Sequence, residues 1–229
     1  ISVRLVGSEM CIRDRIISSI NEKGYKNPTE IQRIAIPHIL MGRDLLGCAQ
    51  TGTGKTGSFV MPLAEILNFG KSKSRMPRSL ILAPTRELAM QVAEEFNFIN
   101  KFLKLQMALL IGGVSFTEQD NKLAMGVDVL VATPGRLIDH IDRGNVIIKD
   151  VKILIVDEAD RMLDMGFIPD IMKINKLLPK IRQTLFFSAT LSSEIRKIGK
   201  NLLINPKEIT ISPYSSTSSN IDSHFFQSY

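Results

Sequence analysis

Residues 49–56 read Ala49-Gln50-Thr51-Gly52-Thr53-Gly54-Lys55-Thr56, and this octapeptide decides how the rest of the chain is read. It follows a short apolar run, DLLGCA (44–49), and precedes SFVMPLAEIL (58–67), whose apolar spacing suits a helix. Gly52 and Gly54 let backbone N–H groups converge on phosphate oxygens with no side chain in the way. The helix that follows adds partial positive charge at the same point. Lys55 reaches β and γ phosphates, and the Thr56 hydroxyl suits a magnesium ion. A strand, a glycine turn and a helix in that order predict a nucleotide-phosphate site.

The second half of such a site is VKILIVDEAD (151–160). Asp157 comes straight off an apolar strand, so it emerges at the same sheet edge as the glycine turn. A carboxylate there suits a hydrated magnesium ion bridging phosphate oxygens. Glu158 is placed to orient or deprotonate an attacking water. A solvated helix start explains Asp160 passably. It gives no reason for two acids to close the most apolar strand of a chain that also carries AQTGTGKT.

Seven apolar runs look like buried strands: DLLGCA, SLILAP, LQMALLI, VDVLVATP, VKILIVD, QTLFFSA and KEITIS. Helical patterns at 86–101, 134–143 and 168–178 lie between them. That alternation predicts an α/β fold, a parallel sheet of about seven strands with helices on both faces. Ligands of such sheets gather at the carboxyl ends of the strands, which is where the unusual residues fall.

Composition sets wider bounds. A chain of 229 residues suits one large domain, and Lys plus Arg minus Asp plus Glu is 29 − 23 = +6. A basic balance of this size favours a polyanionic partner but does not by itself establish one. No apolar run approaches the ~18–20 residues that span a bilayer, and the opening residues lack the apolar core of a secretory signal. The two cysteines, Cys11 and Cys48, give neither a disulfide framework nor a CxxC pair, and the three histidines are scattered. This pattern points to a reducing, cytoplasmic setting.

The ordered motifs resemble those of the N-terminal RecA-like lobe of the DEAD-box ATP-dependent RNA helicases, over roughly residues 16–226. GYKNPTEIQ (24–32) looks like the adenine-reading Q motif, AQTGTGKT like motif I and PTRELA (84–89) like motif Ia. Gly112-Gly113, TPGRL (133–137), DEAD (157–160) and SAT (188–190) follow. The resemblance implies ATP and Mg2+ as cofactors and RNA as partner. Tyr25, Thr29 and Gln32 would then face the nucleotide, with the Gln32 amide pairing with adenine. Pro84, Thr85, Arg86, Gly113, Thr133, Pro134, Gly135 and Arg136 would grip one RNA strand. Thr133 fits an N-cap and Pro134 a first helical turn, so helix N–H groups would point at a phosphate. Such contacts position a strand without reading bases. Ser188 and Thr190 would bond to the DEAD acids, Asp160 among them, and couple hydrolysis to strand separation. Each residue also has a plainer reading: a surface glutamine, a capped helix, a turn glycine, a strand-end hydroxyl.

Two departures from the family pattern stand out. The family's second RecA-like lobe, with its transition-state arginines, is expected in cis but is not in this sequence. Such an arginine is worth about a thousandfold to a hundred-thousandfold in rate, so the lone first lobe is expected to bind ATP and RNA weakly, as a monomer, with little turnover. The family's adenine-stacking aromatic would fall 17 positions before Gly24, at Gly7. ISVRLVGSEMCIRDR (1–15) looks like translated sequencing-adapter sequence, which leaves 16–211 as the ATP-binding domain and 212–229 as a linker with the start of a second domain. A divergent leader and a frayed C-terminus are the plainer alternatives. The basic stretch FGKSKSRMPRS (69–79) reads as a solvated loop or an RNA contact. A metabolite kinase would leave PTRELA, TPGRL and SAT unexplained; a non-enzymatic nucleotide- and RNA-binding fragment would not.

Overall fold

The computed structural model describes residues 14–68 and 70–211. The expectations for Gly7, for most of 1–15, for 212–229 and for Phe69 lie outside them. In chain order the elements are α1 (Asp14–Glu22), α2 (Glu30–Leu40), β1 (Leu45–Cys48), α3 (Lys55–Leu67), β2 (Ser79–Leu82), α4 (Arg86–Ile99), β3 (Met107–Leu110) and α5 (Phe116–Met125). They continue as β4 (Val129–Ala132), α6 (Pro134–Asp142), β5 (Ile153–Val156), α7 (Ala159–Asp164), α8 (Ile168–Leu177), β6 (Gln183–Ser188), α9 (Ser193–Leu202) and β7 (Lys207–Thr210). The seven strands form one parallel sheet in the order β3-β4-β2-β5-β6-β1-β7. This is the doubly covered α/β sheet the sequence predicts. The helix expected over 86–101 ends at Ile99 and tightens into a 3-10 turn, Asn100–Phe102. Among the described residues no helix is long and apolar enough to cross a membrane.

Alternation along each strand builds two cores. Ile81, Val129, Val131, Ile153, Ile155, Leu185 and Phe187 point to the layer formed by α1–α4. Leu80, Leu82, Leu130, Leu154, Val156 and Phe186 point to the layer formed by α5–α9. Gly47 in β1 is a packing requirement: a Cβ there would lie 2.6 Å from the ring of Phe187. That approach lets Phe187 reach Phe59 of α3, ring centroids 5.4 Å apart. It also seats α3, and with it the 49–56 turn, over β1.

The amino edge of the sheet is laced by two buried carboxylates. Asp44, just before β1, accepts from Thr184 N at 2.7 Å and Ile204 N at 2.7 Å, joining β6, β1 and the approach to β7. Asp128, just before β4, accepts from Arg78 Nε at 2.9 Å and Gln106 N at 2.9 Å, joining β2, β4 and β3. Arg78 also donates to Leu67 O at 2.6 Å, holding the end of α3. The basic stretch 69–79 therefore divides. Lys71, Lys73 and Arg75 are exposed, but Arg78 is buried, because its ion pair closes the strand starts. The stretch leads into the amino end of β2, at the edge opposite the strand ends where the motif residues gather.

Asp128→Ala would strand the Arg78 charge and the Gln106 N–H in the interior. It is expected to lower unfolding free energy by about 3–5 kcal/mol, read as a lower urea midpoint at unchanged slope.

Candidate nucleotide and nucleic-acid site

The carboxyl edge of the sheet carries two groups of residues. The 49–56 turn follows β1, the DEAD acids follow β5, and SAT closes β6. PTR follows β2, the paired glycines follow β3, and TPGR follows β4. The sheet order therefore places β5, β6 and β1 on one half of this edge and β3, β4 and β2 on the other.

On the first half, Gly52 and Gly54 hold φ of +83° and +87°, the left-handed region that glycine takes without a Cβ penalty. Thr53 Oγ1 donates to Gln50 O at 2.7 Å and closes the turn. Helices α2, α4 and α9 start on side-chain caps from Thr29, Thr85 and Ser192. By contrast α3 starts at Gly54 with no side-chain cap, so its first N–H groups are not met by a cap.

Lys55 is the first residue of α3 and its ammonium is buried, with no hydrogen-bond partner among the described residues. Its nearest acid is Asp157 Oδ1 at 3.9 Å, close enough for attraction but too far for a hydrogen bond. Ala49 N donates to Ser188 O at 3.0 Å, fixing the turn to the end of β6. Asp157 Oδ1 accepts from Glu158 N at 3.0 Å. Burial pushes the Asp157 carboxyl up to about 6, with Lys55 opposing and Glu158 adding to the shift. Glu158 sits at φ +53°, rare for a residue with a side chain and worth roughly 1–3 kcal/mol of strain. Its carboxylate stays within 3.6 Å of Arg161.

These groups line a cleft of about 260 Å³ shared by Tyr25, Gln32, residues of the 49–56 turn, Asp157 and Glu158. Thr56 lines it too; Ala49 is buried beneath it. Gln32 completes a capping box with Thr29: its Oε1 accepts from Thr29 N at 3.0 Å. Its Nε2 donates to Gly54 O at 3.1 Å, so the Q-motif amide grips the glycine turn itself. One N–H and one lone pair of that amide are used in these two bonds, out of two of each. Tyr25 lies at the rim beside Lys23, whose Nζ is 5.2 Å from the ring centroid.

Two features of the cleft escaped the sequence reading. Gly57 leaves room for the Gln32 amide: a Cβ there would sit 2.7 Å from Gln32 Nε2, and that side-chain end would have to shift. One wall is α4, through Leu88, Gln91, Val92 and Glu95. Those four share an i, i+3, i+4, i+7 stripe, a periodicity visible in the sequence that served only to assign a helix.

Asp160 Oδ2 accepts from Ala189 N at 3.1 Å and Thr190 Oγ1 at 3.4 Å, so Asp160 and Thr190 meet. The Ser188 hydroxyl instead accepts from Thr190 N at 3.3 Å. On the other half, Thr85 Oγ1 caps α4 through Leu88 N at 3.3 Å, next to Pro84. Arg86 lies against Gly113, where φ is +78° and a Cβ would fall 2.5 Å from Arg86 Nη1. Thr133 occupies the N-cap position of α6 and Pro134 its first turn, but the Thr133 hydroxyl makes no capping bond. Gly135 follows in that turn. The Arg136 guanidinium bonds to Val114 O at 2.6 Å and stacks on Phe116, turned to the protein rather than outward.

Turn, lysine and buried acid on a parallel sheet define a RecA-like phosphate-loop domain. The DEAD/DEAH box helicase family model matches residues 29–198. The ATP-dependent RNA helicase DeaD of Buchnera aphidicola (from Acyrthosiphon pisum) is 45% identical over 215 residues, covering 93% of this chain and 35% of the relative. DeaD of Escherichia coli K12 is 39% identical over 220 residues, 96% of this chain and 34% of the relative. The crystal structure of a DEAD box protein from Methanococcus jannaschii superimposes with a TM-score of 0.82 at 39% identity, over 88% of this chain and 55% of that one. The chain belongs to the DEAD/DEAH box helicase family. It spans about a third of the length of the curated relatives it matches.

A raised carboxyl pKa has a definite sign in stability. Folding favours protonated Asp157, so its contribution is intact below the ordinary value of 3.8 and is lost as pH rises through about 6. Asp157→Asn is therefore expected to melt with the wild type at pH 4 and roughly 5 °C or more above it at pH 8. Differential scanning calorimetry in EDTA reads this; an equal gap at both pH values would refute it.

Proposed function

We propose that this chain is the ATP-binding lobe of an ATP-dependent RNA helicase. The observation that carries the reading is the buried Lys55 ammonium, without a hydrogen-bond partner, at the uncapped start of α3 and facing Asp157. A triphosphate would supply what that ammonium and those N–H groups lack. The names of the DeaD relatives, which are ATP-dependent RNA helicases, support the same substrate pair.

Thr56 and Asp157 are the residues that would hold Mg2+, and a buried carboxyl with a raised pKa fits that role because a cation would favour its charged form. When bound, the ion would offset phosphate charge. Gln32, Thr29 and Tyr25 would orient the adenine, and Lys55 the β and γ phosphates. Glu158 would take the proton of the attacking water as its oxygen bonds to the γ phosphorus and the bridge to the β phosphate breaks, releasing ADP. RNA would lie on the β3, β4 and β2 half, where Arg86, Gly113 and the first turn of α6 converge. Contacts of this kind hold a backbone without reading bases. Asp160, bonded to Thr190 and Ala189 at the end of β6, would with Ser188 couple hydrolysis to strand separation. The setting would be cytoplasmic.

A second reading applies to the chain on its own. It spans about a third of its relatives, and the family's stabilising arginines belong to a second lobe. Alone it would act as a weak nucleotide and RNA binder with scant turnover.

The test is phosphate release from MgATP with and without single-stranded RNA. Slow release, raised less than about tenfold by RNA, is expected from a lobe without arginine fingers. Strong RNA stimulation by this chain alone would overturn the second reading. No MgATP binding at any concentration would overturn both. A Gly57→Ala variant, whose methyl must displace Gln32, is expected to narrow the preference for ATP over GTP, measured by competition.

A further inference from the structure

A buried polar cluster joins the paired-glycine turn to α6, and the nucleotide chemistry does not use it. Gln119 of α5 is 3% exposed. Its Nε2 donates to Ile111 O at 3.2 Å, just before Gly112, and its Oε1 accepts from Arg136 Nε at 3.3 Å. Arg136 Nη2 donates to Val114 O at 2.6 Å, just after Gly113. The glycine turn is thus held on both sides, by Gln119 before it and by Arg136 after it. Phe116, the first residue of α5, lies 3.3 Å from the Arg136 guanidinium carbon and 3.7 Å from that of Arg143. Two guanidiniums that close to one ring centroid occupy opposite faces, a stacked geometry lysine cannot reproduce. His140, fully buried on α6, anchors the far side, its Nε2 3.1 Å from Gln119 Oε1.

We infer that Arg136 and Gln119 are positioning residues that set the glycine turn against the start of α6, so that Gly113 and the α6 N–H groups present one phosphate-binding surface. The Nε–Nη2 edge of Arg136, one of the edges by which a guanidinium forks onto a phosphate, is already on protein acceptors. The positive charge of Arg136 is then secondary to the shape of its guanidinium. This rests on the RNA reading of that half of the edge.

The test uses binding of a fluorescent single-stranded oligouridylate across a salt series, with MgATP affinity measured alongside. Arg136→Lys, Arg136→Ala and Gln119→Leu are each expected to weaken RNA binding by about tenfold or more. The slope of log affinity against log salt should stay at the wild-type value, and MgATP affinity should hold. A direct phosphate ligand behaves otherwise: Arg136→Ala would lose about 0.7 of slope, and Arg136→Lys, which keeps the charge, would restore that slope and bind more tightly than Arg136→Ala. Either that pattern, or wild-type RNA binding by Gln119→Leu, overturns the inference. Should the wild type bind no RNA, the RNA reading fails separately. Amide hydrogen exchange at 112–116 then decides: faster exchange in Gln119→Leu supports the bracing role, and unchanged exchange sinks it.

Discussion

A lysine ammonium shut away from water without a hydrogen bond is among the costlier things a fold can contain. Here Lys55 is held that way by its position at the first turn of α3, and much of the architecture bears on keeping it there. Gly47 lets Phe187 reach Phe59, which seats α3 over the sheet. Gln32 reaches across from α2 to bind the carbonyl of Gly54, one residue before the lysine. The bond from Ala49 to Ser188 sets the height of the turn against β6, whose neighbour β5 delivers Asp157. Asp157 answers the charge only at 3.9 Å, and burial works against its ionisation. Two opposed groups, each incompletely satisfied, describe a site shaped for a third participant rather than for stability.

The sheet order explains how one edge can hold both proposed sites. Placing β5, β6 and β1 together, and β3, β4 and β2 together, separates the proposed nucleotide site from the proposed RNA contacts by only the spacing of adjacent strands. Helix α4 belongs to both. Its first residue, Arg86, lies on Gly113, while Leu88, Gln91 and Glu95 line the nucleotide cleft within its next turns. Asp160 instead ties the end of β5 to the end of β6 within the first half.

Most of the fold was legible because strand runs such as VKILIVD and QTLFFSA are unbroken apolar segments, and burial on both faces leaves them no other pattern. The meeting of AQTGTGKT and DEAD at one cleft was legible because glycine and acid placement at strand ends has few physical explanations. What stayed hidden depends on side chains meeting across elements. Arg78 looked like one more basic loop residue, and only the fold brings Asp128 to it. Arg136 reads as an RNA-gripping or plain surface arginine until Val114, Gln119 and Phe116 are seen around it. Gly57 gave no signal, since the side chain that a Cβ there would displace is Gln32, twenty-five positions earlier. The Thr133 hydroxyl fits a capping pattern that the folded backbone does not use.

The central claim is that the Lys55 charge serves an anionic ligand and not the fold. Lys55→Met keeps an unbranched side chain one atom shorter and removes the charge, so it separates the two directly. The account predicts that MgATP affinity falls by about tenfold to a hundredfold, while the ligand-free melting temperature stays level or rises. A variant that binds MgATP as well as the wild type but melts several degrees lower would contradict it.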